Sequence, residues 1–233
     1  MVNLFSILRN STPELGSQIN FYKNFDRKYL QKVPALVEDK VVILNSYPTE
    51  SEAACRTVVN SLKNNEFGYH DYYLRLSSNE LEGEYIKVHA PVRRKGLGEL
   101  LRLASIIEMK ANNLNKITLF SMPEAVKFHR HYGFQPDVKS KINAGTILSE
   151  IISDDMYDDF TAQALKLLDK LYSKDNSLDE FNLFLAQYID RCPVEDFPVF
   201  TKGINMILPA HKIKSNSDFY NERFEKHKIN FQV

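Results

Sequence analysis

The residues in this sequence whose types and spacing favour chemistry lie between positions 93 and 98. The run Arg93-Arg-Lys-Gly-Leu-Gly98 follows a strand-like segment and opens a helix-like one. Two glycines separated by one residue allow backbone N–H groups to converge without interference from Cβ atoms. The first turn of a helix also presents N–H donors and the positive end of the helix dipole. With its basic side chains, the segment therefore predicts a binding site for a pyrophosphate.

Two other phosphate-binding motifs fit this segment less well. A dinucleotide-binding fingerprint requires a third glycine at the position where this sequence has Leu101. A P-loop requires a Gly-Lys-Ser/Thr run, and none follows Gly98. The remaining structural alternative is a solvated basic turn in front of a helix.

A second segment, Ala125-Val-Lys-Phe-His-Arg-His-Tyr-Gly-Phe134, lies one helix and one strand further along the chain. The first segment resembles the pyrophosphate signature of the GNAT (GCN5-related N-acetyltransferase) superfamily, Gln/Arg-x-x-Gly-x-Gly/Ala. The second is similar to that superfamily's helix of the form Ala-x-x-Phe/Leu-Tyr-x-x-x-Gly-Phe. Both segments occur in the superfamily's order, with a helix and a strand between them. The resemblance covers roughly residues 40–152.

The resemblance implies that acetyl-CoA is the cosubstrate. It implies that backbone N–H groups of loop 94–99 bind the pyrophosphate, and that main-chain groups of residues 86–88 hold pantetheine and polarise the thioester carbonyl. Strand 81–89 would be bulged and would splay from strand 116–120. The implied binding residues are Ile86, Lys87, Val88, Arg93, Arg94, Lys95, Gly96, Leu97, Gly98, Glu99 and Phe128. No metal is expected.

The implied reaction is direct attack of a neutral amine on the thioester, which requires a base and an acid. The superfamily often uses a tyrosine acid at the position of His129, so His129 either replaces that acid or packs at the cofactor rim. Glu82 and Glu84 are the base candidates, since a strand with two-residue alternation places them on one face. A gap-free match places Glu82 where the histone-acetylating branch keeps its catalytic glutamate, and His89 is a third candidate.

Apolar periodicity and turn residues predict the elements that position these segments. The predicted strands are residues 3–9, 40–46, 69–76, 81–89, 116–120 and 145–152, and the predicted helices are residues 12–33, 49–67, 98–113 and 123–132, with Gly68 ending the second helix. This order predicts an α+β fold, a GNAT-like mixed twisted sheet with flanking helices. Its central strand–helix–strand crossover requires two parallel strands.

Residues 1–153 are predicted to form the acetyl-CoA-binding domain, and residues 154–233 a mainly helical C-terminal extension of unknown role. Two apolar helical stripes precede a mixed tail in which residues 197–208 include a possible strand. We expect the extension to shape the acceptor side of the cleft, directly or through a protein partner or homodimer. We also expect it to leave the cofactor loop unchanged.

The composition excludes some functions. Lys+Arg and Asp+Glu number 30 each, so no overall positive field favours binding to nucleic acid. No stretch approaches the about 20 apolar residues of a membrane span, and residues 1–9 make a poor secretory signal. These observations predict a cytoplasmic protein.

The sequence leaves the acceptor open. A polyamine, an antibiotic, an amino acid, a protein N-terminus and a lysine side chain are all compatible with an amine acceptor. The alternative function is a catalytically weak or inactive module that binds acyl-CoA or a protein. The missing tyrosine and the unassigned extension favour that alternative.

Overall fold

The computed structural model describes residues 14–49, 54–154, 158–171, 173, 178–192 and 200–233. The chain divides into two compact units, which we call the first unit (Met1–Ile117 with Ile213–Val233) and the second unit (Thr118–Lys212). The predicted domain boundary after residue 153 is a different division and stays a prediction. The predicted strand at 3–9 lies outside the described residues.

The described residues contain ten strands and seven α-helices. The strands are β1 (Asn20–Asn24), β2 (Arg27–Gln31), β3 (Val33–Val37), β4 (Lys40–Pro48), β5 (Ala54–Ser61), β6 (Glu66–Arg75), β7 (Glu80–Val88), β8 (Lys116–Ser121), β9 (Gln135–Pro136) and β10 (Ile204–Pro209). The helices are α1 (Leu97–Ala111), α2 (Val126–His131), α3 (Lys141–Asp154), α4 (Asp158–Leu171), α5 (Leu178–Arg191), α6 (Ala210–Ser215) and α7 (Ser217–Lys226).

An antiparallel meander of strands β3 to β7 dominates the first unit, and β1 and β2 form a separate hairpin. The β3–β4 turn shows how local residues set the register. Val37 pairs with Lys40, and the two residues between them, Glu38 and Asp39, have φ values of 44° and 61°. Two successive residues with positive φ are typical of the type I′ turns that match the twist of a hairpin.

The crossover that the sequence predicts is present at the start of β8. The Asn115 N–H donates to the Asn79 carbonyl at 2.9 Å, and Lys116 Nζ lies 3.1 Å from Glu80 Oε2. Because Glu80 begins β7 and Lys116 begins β8, both strands start at the same end, as parallel neighbours require. An antiparallel meander joined to a parallel crossover makes a mixed sheet, which confirms the predicted α+β class.

Several predicted elements are confirmed with boundaries that differ by a few residues. The strands at 40–46, 69–76, 81–89 and 116–120 correspond to β4, β6, β7 and β8, and the helices at 98–113 and 123–132 correspond to α1 and to α2 with its preceding 3₁₀ turn. The possible strand in 197–208 is found as β10.

Three predicted elements are wrong. The helix at 12–33 is replaced by β1, β2 and the start of β3, because Phe25 with a φ of 50° turns the chain into a hairpin. In the range of the helix predicted at 49–67, described residues 54–61 form β5 and residues 66–67 begin β6, and the β-branched Thr57, Val58 and Val59 favour a buried strand. The strand at 145–152 is instead part of α3, where Ala144, Ile147, Leu148 and Ile151 are buried at helical spacing.

The second unit combines a short sheet with helices. The C-terminal end of β8 is followed in sheet order by β10 and β9, and Met206 of β10 pairs antiparallel with Pro136 of β9. Helices α4 and α5 confirm the helical character expected after residue 154. Among the described helices, none has the length and apolar character needed to cross a bilayer.

Helix α1 buries a carboxyl group in the core of the first unit. Glu108 has no exposed surface, and its Oε1 accepts a hydrogen bond of 3.1 Å from the Leu30 N–H. Burial raises the pKa of Glu108 from 4.5 to about 7, although the neighbouring polar groups of Tyr72, Ser46 and the Leu30 N–H favour its ionised form. The folded protein therefore holds the proton of Glu108 more tightly than the unfolded chain does.

This buried acid predicts a pH-dependent stability. The contribution of Glu108 to the free energy of unfolding is fully present below about pH 4.5 and is lost as the pH rises through about 7, a change of about 3 kcal/mol. Glu108→Gln should remove this part of the pH dependence, because the amide does not titrate. Denaturant unfolding at about pH 5 and about pH 8 measures it. If the free energy of unfolding fell equally between about pH 5 and about pH 8 in the unmodified protein and in Glu108→Gln, the role of Glu108 would be contradicted.

Candidate functional site

Strand β7 carries a β-bulge, as the resemblance implies for strand 81–89. Gly83 pairs with Tyr72 and Tyr85 pairs with Asp71, so Glu84 is the extra residue. Glu82 pairs with Tyr73, which lies two residues from Asp71 along β6. Glu82 and Tyr85 therefore share one side of the sheet. The expectation that Glu82 and Glu84 share one face stays a prediction, because the extra residue of a bulge has no cross-strand partner that fixes its side.

The three base candidates are all close to the surface. Glu82 Oε2 lies 2.8 Å from Arg75 Nε, and both side chains are more than 40% exposed. His89 Nε2 lies 3.1 Å from Glu66 Oε1, and Glu84 is exposed. A proton acceptor must have a lone pair directed at the attacking amine. Glu82 would therefore have to share its carboxylate between Arg75 and the amine or a bridging water.

Gly68 of β6 allows the last part of β7 to lie close to β6. Residues 86–88 pair with His70, Tyr69 and Gly68. A Cβ atom added to Gly68 would lie 2.5 Å from the Lys87 carbonyl oxygen and 3.2 Å from the Val88 Cα. Only glycine therefore allows this approach. Gly68 fixes the main chain of the segment that the resemblance assigns to pantetheine.

The loop after β7 leads into α1 through two residues with left-handed backbone conformation. Arg94 has a φ of 62°, and Gly96, the N-cap of α1, has a φ of 84°. The Arg93 Nε donates to the Val88 carbonyl at 3.1 Å, which ties the loop to the end of β7. No side chain caps the start of α1. Leu97 is buried and Gly98 is half-buried.

These features fit a pyrophosphate. A helix start without a side-chain cap leaves its first N–H groups for an anion, and the helix dipole favours negative charge there. Arg93 and Arg94 are exposed beside this turn, and Lys95 Nζ lies 3.4 Å from Glu38 Oε2. Because Gly96 has positive φ, a residue with a side chain would strain the turn. The structure thus brings residues 86–88 and 93–99 together in the first unit.

Glu99 differs from the other loop residues because its side chain is buried and surrounded by cations. Its Oε1 lies 2.8 Å from Lys226 Nζ and 2.7 Å from His227 Nε2, and its Oε2 lies 3.7 Å from Arg223 Nε. We call Arg223, Lys226 and His227 the C-terminal cations. The expectation that the residues after 154 leave the loop unchanged is therefore wrong for this segment.

The remaining site residues lie in the second unit, on α2. His129 is 8% exposed, and its ring meets the rings of Phe128 and Phe134 with centroid distances of 5.1 and 5.6 Å. Phe128 also contacts Tyr132, at 5.0 Å between centroids. His129 thus belongs to an aromatic cluster. Among the described residues, no group of three or more His, Cys, Asp and Glu side chains is arranged to bind a metal ion.

Comparisons with known proteins give a partial sequence match. No protein-family model matches the chain. Over 52 residues, the chain is 35% identical to a curated protein described as an uncharacterised N-acetyltransferase of the alga Gracilaria tenuistipitata var. liui. The match covers 22% of this chain and 29% of the length of that relative.

Two solved structures align with parts of the chain. Tetrahymena GCN5 is 12% identical, with a TM-score of 0.40 over 70% of this chain and 71% of the other. The Vibrio cholerae spermidine N-acetyltransferase, solved with CoA and spermine, is 22% identical, with a TM-score of 0.35 over 39% of this chain and 56% of the other. On its two sequence motifs and the partial match to a curated relative, the chain resembles the GNAT superfamily of N-acetyltransferases.

Proposed function

We propose that the protein transfers an acetyl group from acetyl-CoA to an amine. The observation that carries this proposal is the start of α1, which has no side-chain cap, is turned by Gly96 and is flanked by Arg93 and Arg94. Backbone N–H groups of Leu97 and Gly98 would bind the pyrophosphate, because the first turn of a helix presents them outward. The arginines would supply charge-assisted contacts to the same phosphates.

Strand β7 would hold the acyl arm through its main chain. The bulge at Glu84 interrupts the regular ladder, and bulges re-aim backbone groups beside active sites. Main-chain groups of residues 86–88 would then bind pantetheine, and an N–H in this segment would stabilise the oxyanion of the tetrahedral intermediate. Gly68 and Arg93 fix the position of these groups, as their contacts with Lys87 and Val88 show.

The proposed transfer breaks one bond and forms one. The amine nitrogen attacks the thioester carbon, the C–N bond forms, and the C–S bond breaks as the tetrahedral intermediate collapses. Glu82, directly or through a water, accepts the proton that the amine loses, with Glu84 and His89 as alternatives. The thiolate leaves without an acid, and a proton donated by His129, which lies in the second unit, stays a prediction of the sequence resemblance.

Residues of the second unit support a separate proposal for the acceptor. A cavity of about 440 Å³ is lined by Phe120 and Met122 after β8, by Glu150 of α3 and by residues 200–205. Glu150 accepts hydrogen bonds from the Thr201 N–H at 3.1 Å and from its hydroxyl at 2.5 Å. The walls mix apolar and polar side chains, with Glu150 and Lys202 as the charged ones, and residues 200–205 come from the predicted extension. The cavity thus supports the proposal that the extension shapes the acceptor side.

The second candidate function is an acyl-CoA-binding module without catalysis. Two contacts favour it: the Glu82 carboxylate is paired with Arg75, and His129 is packed between aromatic rings. Both candidates predict binding of CoA, so binding alone does not separate them.

Thiol release from acetyl-CoA separates the two functions. The assay follows free thiol with and without a panel of amines that includes a polyamine, an arylalkylamine, free lysine and a peptide with a free N-terminus. Release that depends on an amine, with the acetylated amine detected by mass spectrometry, supports the transferase. Binding of CoA without release for any amine supports the module, and failure to bind CoA contradicts both functions.

A further inference from the structure

Glu99 presents an electrostatic problem for the proposed pyrophosphate site. Its carboxylate belongs to the first turn of α1, the same turn whose N–H groups would bind the anion. An ionised carboxylate a few ångströms from a pyrophosphate repels it, and the repulsion is stronger where burial lowers the local dielectric. The Glu99 side chain is only 10% exposed, so water screens its charge poorly.

The C-terminal cations all lie close to the Glu99 carboxylate. Lys226 Nζ and His227 Nε2 both lie within 2.8 Å of Glu99 Oε1, and Arg223 lies near Oε2. The His227 side chain is 2% exposed, whereas that of Lys226 is 62% exposed. Opposite charges at hydrogen-bond distance offset the field of the carboxylate at the helix start.

His227 also fixes the direction in which Glu99 points. Its Nδ1 lies 2.7 Å from the Leu36 carbonyl oxygen, and its Nε2 faces the Glu99 carboxylate. Both ring nitrogens thus face oxygen acceptors, and a ring with two N–H groups donates to both. The backbone of the same residue is anchored as well, because its carbonyl accepts from the Leu36 N–H at 2.8 Å.

The ring of His227 also lies beside the N-cap of α1. A Cβ atom added to Gly96 would be 3.6 Å from His227 Cε1. The residue that turns the loop and the residue that binds Glu99 are thus neighbours, although His227 and Glu99 are 128 positions apart in the sequence.

We propose that Lys226 and His227 neutralise Glu99 and hold its carboxylate so that the start of α1 accepts the acyl-CoA pyrophosphate. The C-terminal segment is then part of the acyl-CoA site and contributes positioning residues to it. This inference rests on the proposed function, because it assumes that the helix start binds CoA.

The test is a charge-rescue series measured by calorimetric titration with CoA. Lys226→Met combined with His227→Gln leaves the Glu99 charge unbalanced and should weaken CoA binding about tenfold. Adding Glu99→Gln to that pair should restore most of the affinity, because the repelling charge is gone. Lys214→Met, which removes an exposed lysine of the same segment, is the matched control and should change nothing.

The rescue distinguishes an electrostatic role from loss of structure. If the charge is the cause, Glu99→Gln restores affinity, whereas damage to packing would persist or increase. Unchanged affinity in the Lys226→Met, His227→Gln protein, or no recovery after Glu99→Gln, overturns the inference. If that double variant does not fold, Lys226→Met alone is compared in the presence and absence of Glu99→Gln. An equal loss in both backgrounds then overturns the inference.

Failure of the proposed function gives a different result from failure of this inference. Unmodified protein that does not bind CoA contradicts the proposed function at the start of the series. Unmodified protein that binds CoA, with variants that bind equally well, contradicts only the role of the C-terminal cations.

Discussion

Gly98→Glu should remove measurable CoA binding while the protein stays folded. Gly98 lies in the first turn of α1 and is half-buried, so a side chain there enters the space beside the proposed pyrophosphate. The added carboxylate would also stand next to Glu99, which already requires the C-terminal cations for balance. Loss of the charge-assisted contacts together with like-charge repulsion should weaken binding on the order of 100-fold or more.

The control for this change is Gly98→Ala. A methyl group adds no charge, and alanine has a higher helix propensity than glycine, so the fold should be kept. Calorimetric titration with CoA measures the affinity of each protein, and thermal unfolding establishes that both are folded. Folded Gly98→Glu protein that binds CoA as tightly as the unmodified protein would show that the pyrophosphate does not bind at this turn.

The second large effect is expected on turnover. Glu82→Gln and His129→Ala should each lower kcat by roughly 10²-fold if these side chains transfer protons, and should leave the affinity for CoA nearly unchanged. The split between kcat and affinity follows because proton transfer stabilises the transition state and contributes little to ground-state binding. Steady-state kinetics, with the amine that the thiol-release assay identifies, measures kcat. Calorimetric titration with CoA measures the affinity.

Matched variants separate chemistry from packing. Glu84→Gln tests the alternative base on the bulge, and His131→Ala, which removes an exposed histidine from the same helix as His129, is the control for the His129 variants. Because His129 is buried among aromatic rings, His129→Gln serves as a second variant that keeps volume better than alanine. Full turnover in Glu82→Gln would exclude Glu82 as the base, and full turnover in His129→Gln would exclude His129 as the acid.

Local sequence signals account for the parts of the fold that were predicted. The glycines before α1 and its regular apolar spacing define a helix start without reference to the rest of the chain. The helix prediction for residues 54–61 is wrong because the spacing of Val58, Val59 and Leu62 fits a helical face as well as a strand. Pairing with the neighbouring strands β4 and β6 makes these residues a strand, and that pairing cannot be read from the local sequence. For residues 145–152 the error ran in the opposite direction, because Ile147 and Ile151 are β-branched and yet lie at helical spacing.

The candidate site also contains features that the local sequence predicts and features that only the fold creates. The motif that includes Gly96 and Gly98 is contiguous, so it could be recognised from residue types alone. The contact between Glu99 and His227 could not, because His227 lies in no motif and the fold alone makes the two residues neighbours. Gly68 was visible as a glycine, but its close approach to the Lys87 carbonyl exists only once β6 and β7 are paired. The pairing of Glu82 with Arg75 likewise depends on that register.

The most direct test of the central claim is an amide NMR titration of isotope-labelled protein with CoA. If the start of α1 binds the pyrophosphate, the amide resonances of Leu97, Gly98 and Glu99 should show the largest shifts, because their N–H groups meet the anion. Those shifts should saturate with the affinity that calorimetry gives. Saturating shifts confined to other parts of the chain, with the amides of residues 96–99 unmoved, would contradict the assignment of this loop.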